Sequence, residues 1–291
     1  MSHGRSLGRR AYLKAVGAGS VVALAGCLTG GGNGGAGDGD GNGTGNETGN
    51  ETGNQTGNGT GDVGGTIVPG TAPGFPPFEI KEGGELTGFD VELLEAVVAE
   101  TSYELGEWKE FEFDSLIQAL TSGNIDVIAA AMTITEEREQ TISFTNSYYE
   151  ADQSILVAKG GDFSPSSLDD LSGRPIGAQK GTTGEQVVQE ELVDAGKLEP
   201  SNYKAYDNYV LAVTDLENGN VDAVVLDKPV AQTFQQERDV EIAFTYETGE
   251  AYGFGVRKDD NAVRQALNEG LQAVEENGTY EELRNKWFSE A

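Results

Sequence analysis

A cationic and an anionic side chain each follow an apolar segment of the sequence, and together they could bind a small zwitterion. Arg138 comes one polar turn after the apolar segment 125–131, and Asp227 comes directly after the apolar segment 223–226. If both segments are parallel strands, ligands lie outside their carboxyl ends. One strand would then present a guanidinium and the other a carboxylate. A ligand that carries a carboxylate and an ammonium would be bridged by both.

A Gly/Thr loop is a second candidate for anion binding. A predicted strand at 175–179 leads through the Lys-Gly-Thr-Thr-Gly sequence at 180–184 into a helix predicted to begin near Glu185. Backbone N–H groups at a helix N-terminus attract anions. The loop is not a phosphate-binding P-loop, because no Gly-Lys-Ser/Thr follows the glycine spacing. Together with Arg138 it favours a carboxylate ligand.

The residue inventory excludes several classes of chemistry. The one His and the one Cys are His3 and Cys27, so a chain cleaved at Cys27 has no histidine. Ser/His/Asp catalysis, Cys/His catalysis and His-ligated zinc are therefore excluded, and we expect neither a metal nor a cofactor. With 49 acidic against 19 basic residues the net charge is −30. Such a chain repels polyanions, which excludes nucleic acid as a partner, and its acidity is typical of a halophilic protein soluble in high salt.

Two copies of a helix–turn–strand unit are predicted to position Arg138 and Asp227. The first is a helix with Asp114 as its predicted N-cap, which ends at Gly123 before a strand at 125–131. The second is a helix at 209–216, which ends at Gly219 before a strand at 223–226. The Gly-Asn-Ile-Asp sequence at 123–126 recurs as Gly-Asn-Val-Asp at 219–222. Alternating helices and strands predict parallel α/β sheets, and the duplication predicts two lobes of similar build.

The first 65 residues have the composition of an export signal and a tether. Residues 1–27 combine a basic start, including Arg9 and Arg10, with a short apolar run, and they resemble a twin-arginine lipoprotein signal that ends at a lipidated Cys27. Residues 28–65 contain 17 Gly and no Lys or Arg, which predicts a flexible tether. The tether repeats an N-glycosylation acceptor pattern or, equally, is a low-complexity spacer; the acceptors are Asn42, Asn46, Asn50, Asn54 and Asn58.

The order of several motifs along the rest of the chain is that of one known family. These motifs are the aromatic segment 75–78, Gly-Phe-Asp at 88–90, segments 113–120 and 133–138, Phe144 with Tyr148 and Tyr149, and the closing segment 277–288. In this order the chain resembles the extracellular solute-binding proteins of family 3, the polar amino-acid receptors of ABC importers. The resemblance spans about 67–288.

The resemblance implies a type II periplasmic-binding-protein fold, in which two α/β lobes joined by two crossover strands close on an amino acid. Lobe 1 would comprise residues 66–149 plus 252–291, and lobe 2 residues 150–251. The partners it implies are a free amino acid and an ABC permease with its ATPase. The protein would act as a monomer on the extracellular face of the cell membrane.

The resemblance also assigns roles to individual residues. Arg138 matches the arginine that pairs with the ligand α-carboxylate, and Thr133 and Thr183 match positions that add donors to it. Asp227 matches the carboxylate that takes the α-ammonium, assisted by the backbone carbonyl of Ala131. The aromatic walls over the ligand side chain would be Phe75 and Phe113.

One pocket position departs from the family pattern. Ala72 stands where relatives that bind amides or cations often carry an acidic residue. With Leu226 and Gln179 as the other pocket candidates, a neutral polar or small apolar amino acid is favoured as cargo over Lys or Arg.

Each candidate also has a purely structural interpretation. Arg138 lies among Glu136, Glu137 and Glu139 and could form an exposed ion pair, Asp227 could cap the next helix, and Phe75 and Phe113 could be core residues. Two other functions remain open at this point. One is an enzyme on the same fold, such as a dehydratase, which would need an Asp, Glu, Lys or Tyr as acid or base. The other is an envelope protein that senses amino acids.

Overall fold

The computed structural model describes residues 64–288. The predicted export signal, the lipidation site Cys27 and the acceptors Asn42, Asn46, Asn50, Asn54 and Asn58 lie outside the described residues. Among the residues described, no helix combines the length and apolarity needed to cross a membrane.

Short strands alternate with helices along the described chain. The strands are β1 (Thr66–Ile67), β2 (Pro69–Thr71), β3 (Ile80–Glu82), β4 (Glu85–Thr87), β5 (Glu104–Leu105), β6 (Lys109–Glu110), β7 (Val127–Ile128), β8 (Ile142–Phe144), β9 (Tyr149–Ala158), β10 (Ile176–Gln179), β11 (Tyr203–Tyr206), β12 (Ala223–Asp227), β13 (Val240–Tyr252) and β14 (Gly255–Arg257). The α-helices are α1 (Phe89–Ala99), α2 (Leu116–Thr121), α3 (Glu136–Glu139), α4 (Thr183–Val188), α5 (Tyr209–Glu217), α6 (Lys228–Glu237), α7 (Asn261–Glu276) and α8 (Thr279–Phe288).

Two five-stranded mixed sheets form the centres of two lobes. Their strand orders are β6-β2-β7-β14-β8 and β11-β10-β12-β9-β13. The chain leaves the first sheet after β8, enters the second at β9 and returns from β13 to β14. Strands β9 and β13 pair antiparallel along most of their length and are the two linking strands. The two-lobed α/β architecture expected from the sequence is therefore confirmed.

The duplicated sequence unit forms the same local structure in both lobes. Gly123 and Gly219 each follow a helix with a positive φ, of 76° and 71°, a conformation that glycine adopts without strain. A lysine on the edge strand of each sheet, β6 or β11, then donates to the backbone carbonyl of the repeated asparagine: Lys109 to Asn124 at 2.7 Å and Lys204 to Asn220 at 2.8 Å. The repeat thus fixes the turn that leads into β7 and β12.

Several predicted element boundaries are wrong. Asp114 is not an N-cap: it lies inside a 3₁₀ turn, Phe113–Ser115, that precedes α2, and its carboxylate accepts a bond from Ser115 Oγ at 3.2 Å. The helix after the Gly/Thr loop begins at Thr183 because Thr182 is its N-cap and accepts from the N–H of Glu185 at 3.2 Å. The strand predicted at 125–131 is limited to β7, since the chain turns where Ala131 takes a φ of 44°.

Candidate functional site

Arg138 is positioned by a single helical turn at the end of the first sheet. Thr135 caps α3 by accepting from the backbone N–H of Arg138 at 3.2 Å. The guanidinium donates to the carbonyl of Thr133 at 2.7 Å and, in the other lobe, to the carbonyl of Gly181 at 2.8 Å. A guanidinium carries more donors than these two bonds use, so a carboxylate could still be bound. Rather than standing in an exposed ion pair, Arg138 joins the lobes.

Asp227 ends β12 and is almost fully buried, at 3% exposure. It occupies the N-cap position of α6, but its side chain makes no capping bond, so the capping interpretation does not hold. Instead Oδ1 accepts from the hydroxyl of Tyr252 at 2.7 Å. Burial, and after it the nearby charge of Glu250, raises the pKa of Asp227 to about 8, although the Tyr252 bond and Arg138 act in the opposite direction. A ligand ammonium would stabilise the ionised form.

Thr133 and Thr183 meet across the two lobes. The Thr183 hydroxyl donates to Thr133 Oγ1 at 3.1 Å, and the Thr133 hydroxyl donates to Glu250 Oε2 at 2.8 Å. Because a hydroxyl has one proton, neither side chain donates to a ligand carboxylate in this arrangement. Within the loop, the N–H of Gly181 is also taken, by Glu185 Oε2 at 2.6 Å. The donor role that the resemblance assigns to the two threonines remains a prediction.

Ala131 is held in an uncommon conformation by a buried carboxylate. Its positive φ of 44° is disfavoured for a residue with a side chain. Asp90 Oδ2 accepts from the N–H of Ala131 and from the Tyr148 hydroxyl, both at 2.6 Å. Burial raises the pKa of Asp90 to about 7, and these two bonds oppose that rise. The sequence analysis named Asp90 only as part of the Gly-Phe-Asp motif, and its bond to Ala131 was missed because the two residues lie 41 positions apart.

A third buried carboxylate, Glu79, lies close to Asp90 and Asp227. Glu79 has no exposed surface, and neither carboxylate oxygen has a hydrogen-bond partner in the described part of the chain. Burial, together with the charges of Asp90 and Asp227, raises the pKa of Glu79 well above its ordinary value. Both its burial and its lack of hydrogen-bond partners therefore favour the protonated form of Glu79.

The two predicted aromatic walls are both buried. Phe75, 6% exposed, packs against Tyr209 of the other lobe with ring centroids 5.7 Å apart. Phe113, 9% exposed, lies under the guanidinium of Arg138, whose Cζ is 5.4 Å from the ring centroid. Phe75 also belongs to the largest hydrophobic cluster. Its position is therefore compatible both with a core residue and with an aromatic wall over the ligand.

The three predicted specificity positions lie in different surroundings. Ala72 and Gln179 are buried and line one cavity of 420 Å³ between the lobes, and the Gln179 Oε1 atom has no hydrogen-bond partner in the described residues. At this cavity Glu110 pairs with Lys81 at 2.8 Å, and Asp207 with Lys180 at 2.5 Å. Leu226 is completely buried in the largest hydrophobic cluster.

A second cavity lies where Arg138 meets the loop of the other lobe. It has a volume of 480 Å³ and is lined by Phe113, Arg138, Gly181 and Thr182, among others. An anion entering here would meet the guanidinium and the loop together. The predicted anion-binding groups are therefore brought together by the fold.

Comparisons with known proteins identify relatives over most of the described chain. Residues 67–290 match the family model of the bacterial extracellular solute-binding proteins, family 3. A probable histidine-binding protein of Campylobacter jejuni is 35% identical over 221 residues, which cover 75% of this chain and 83% of that protein. The solved structure of an ancestral arginine-binding protein bound to arginine superposes with a TM-score of 0.73 at 40% identity, over 78% of this chain and all of the other.

An ancestral arginine-binding protein solved with glutamine gives a similar result. Its TM-score is 0.70 at 41% identity, and the match covers 77% of this chain and 98% of that one. The family model covers well over half of the chain, and the matches span 83% or more of each of these relatives. The chain therefore belongs to the extracellular solute-binding proteins of family 3.

Proposed function

We propose that the protein is the substrate-binding component of an ABC transporter, which takes up a free amino acid between its lobes and delivers it to a membrane permease and its ATPase. The observation that carries this proposal is the placement of Arg138 and Asp227 on different lobes, with Arg138 already bonded across to Gly181. A zwitterion contacting both would favour the closed arrangement. The protein is a carrier rather than an enzyme, since Asp227 is committed to the ammonium.

A neutral polar or small amino acid is the proposed cargo. Ala72 brings no charge to the 420 Å³ cavity, and two of the three carboxylates at its wall, Glu110 and Asp207 but not Glu112, are paired with lysines in the described part of the chain. The free Oε1 of Gln179 could accept from a side-chain amide or hydroxyl. A solved relative bound to glutamine is compatible with this cargo.

The proposed setting is the extracellular face of the cell membrane. Export by a twin-arginine signal and a lipid at Cys27 would anchor the chain, and the tether would hold the folded part, as a monomer, away from the lipid. Asn42, Asn46, Asn50, Asn54 and Asn58 are proposed glycosylation sites on that tether.

A thermal-shift panel tests the proposed function. The full chain would be melted in molar salt with each of the twenty amino acids in turn. An amino acid at 100 times its dissociation constant adds about 2.7 kcal/mol to the free energy of unfolding. We expect a narrow group of neutral amino acids to raise the melting temperature. The proposal is wrong if no amino acid does, and the cargo assignment is wrong if only Arg, Lys or His does.

Arg138→Ala should abolish the shift in that panel. Removing the guanidinium leaves the ligand carboxylate without its partner, at a cost of about 3 to 5 kcal/mol of binding free energy. Arg174→Ala is the matched control, because Arg174 also lies over a phenylalanine ring, at 4.5 Å from Phe163, and pairs with Asp222 within lobe 2. Unchanged affinity in Arg138→Ala, measured by titration calorimetry, would contradict the role of Arg138.

A further inference from the structure

Glu250 is a buried carboxylate near Asp227 and Arg138 that the sequence gave no reason to single out. It is 6% exposed and accepts three hydrogen bonds. Oε1 accepts from Gln153 Nε2 at 2.9 Å and from Thr248 Oγ1 at 2.7 Å, and Oε2 accepts from Thr133 Oγ1 at 2.8 Å. Glu250 therefore connects both linking strands to lobe 1.

Its position on β13 is where the two linking strands lose their regular pairing. The register with β9 shifts between Tyr246 and Glu250. In the bulge so formed, the N–H groups of Thr248 and Gly249 both donate to Asp152 Oδ1, at 3.0 and 3.1 Å, and Gly249 has a φ of 64°. Bulges bend a strand, and changes of domain orientation are taken up at a few such positions. Glu250 is the first paired residue after this bend.

The bond to Glu250 determines which way the hydroxyl groups of Thr183 and Thr133 donate. Thr183 of lobe 2 donates to Thr133 of lobe 1, and Thr133 donates to Glu250. Since the carboxylate takes the only hydroxyl proton of Thr133, the remaining lone pair of that oxygen is an acceptor. An acceptor complements an ammonium and not a carboxylate.

Glu250 also contributes to the charge of the site. Its negative charge raises the pKa of Asp227 and, together with Asp227, opposes the lowering of the Arg138 pKa by burial. Two carboxylates therefore act on the position where an ammonium would lie, while Arg138 acts on the carboxylate end of a zwitterion.

We propose that Glu250 is a positioning residue that couples closure of the lobes to recognition of the α-ammonium: it joins the bend in the linking strands to the Thr183–Thr133 contact and makes Thr133 an acceptor. The ammonium part of this proposal rests on the proposed function. The closure part rests on the hydrogen bonds alone.

Glu250→Gln tests the ammonium part, because the amide keeps the shape but turns an NH₂ group toward groups that donate to the carboxylate. Titration calorimetry with the amino acid that gives the largest shift in the panel should show affinity reduced about tenfold or more, as for loss of a hydrogen bond to a charged group. Glu247→Gln is the control, since Glu247 is exposed on the same strand and the charge change is identical.

A Thr133→Val background separates positioning from a general structural effect. If Glu250 acts through the Thr133 hydroxyl, Glu250→Gln should have little further effect on affinity once that hydroxyl is absent. Equal losses of affinity in the two backgrounds would overturn the proposal, as would wild-type affinity in Glu250→Gln itself.

The closure part is tested without any amino acid. Spin labels would be attached at Gln118→Cys and Ser201→Cys, exposed positions of lobe 1 and lobe 2, in a full chain carrying Cys27→Ser. Glu250→Gln should lengthen the distance between the labels, and Glu247→Gln should not. An unchanged distance in Glu250→Gln would overturn the closure part even if the panel shows that no amino acid binds, so the two failures can be told apart.

Discussion

Burial favours the protonated form of Asp227, whereas binding an ammonium requires the ionised form. An aspartate this deeply buried, with its pKa raised from 3.8 to about 8, takes up a proton in the folded protein near neutral pH. Its neighbours favour a cation in two ways: Glu250 adds negative charge, and the Tyr252 hydroxyl stabilises the ionised form of Asp227 by donating to Oδ1. The cost of burying Asp227 is offset when an ammonium arrives.

The raised pKa of Asp227 predicts how stability depends on pH. The folded state binds a proton that the unfolded state has lost, so this contribution is fully present below the unfolded pKa of 3.8 and is lost as the pH rises through about 8. The free energy of unfolding should fall over this range, by an amount on the order of a few kcal/mol from Asp227. Asp227→Asn should reduce the slope, as measured by urea denaturation at constant high salt.

Asp215→Asn is the control for that experiment. Bonds from Asn220 and Tyr206 lower the pKa of Asp215, so its contribution to stability is present above 3.8 and disappears only at lower pH. The Asp215→Asn variant should therefore show the wild-type slope of unfolding free energy against pH between pH 4 and 8. If Asp227→Asn and the wild type show the same slope in that range, burial does not raise the pKa of Asp227 in solution.

At the scale of elements, the site depends on short connecting segments at the ends of strands. Arg138 stands on the one-turn helix α3, Asp227 on the last position of β12, and Gly181 in the loop between β10 and α4. Where the loop approaches lobe 1, Gly181 has a φ of 72°, and a Cβ added there would lie 3.0 Å from Asp114 Cβ. Any side chain at position 181 would therefore crowd Asp114 in the closed arrangement.

Gly181→Ala should weaken amino-acid binding by obstructing closure. The added methyl group would meet Asp114 in the closed arrangement, and the φ of 72° adds a backbone penalty of about 1 to 2 kcal/mol. Gly173→Ala is a close control, because Gly173 has the same φ but nothing within 4 Å of an added Cβ. Both variants should lose similar thermal stability, and only Gly181→Ala should lose affinity in calorimetry. Equal affinity in the two would contradict the closure contact.

Local patterns predicted the elements better than they predicted their ends. The Gly-Asn-Xaa-Asp repeat identified both helix–strand units because it is a local signal for a turn that glycine can adopt. Asp114 was assigned as a cap by its residue type, and the 3₁₀ turn around it was not visible in the periodicity. The strand before Arg138 was predicted too long, because its apolar residues are buried both within β7 and beyond it.

For the molecule as a whole, the order of motifs was sufficient to predict the two-lobed fold and the family, and both are confirmed. Contacts between distant segments were not predictable: Glu250 meets Thr133 across 117 positions, and Asp90 meets Ala131 across 41. Such pairs leave no local pattern in a single sequence. The chain carries a net charge of −30. Within this acidic chain, the oppositely charged side chains of Arg138 and Asp227 are predicted to face the same ligand.

The central claim is that a single small molecule bridges the two lobes through its carboxylate and its ammonium. The most direct measurement is titration calorimetry, in molar salt, of the best amino acid from the panel beside its α-carboxamide and its analogue without the amino group. Each analogue retains the side chain but loses one of the two charges, so each leaves Asp227 or Arg138 without its partner. We expect both to bind at least about a hundredfold more weakly than the amino acid, a loss of about 3 kcal/mol or more. Affinity equal to that of the amino acid for either analogue would contradict the bridge between Arg138 and Asp227.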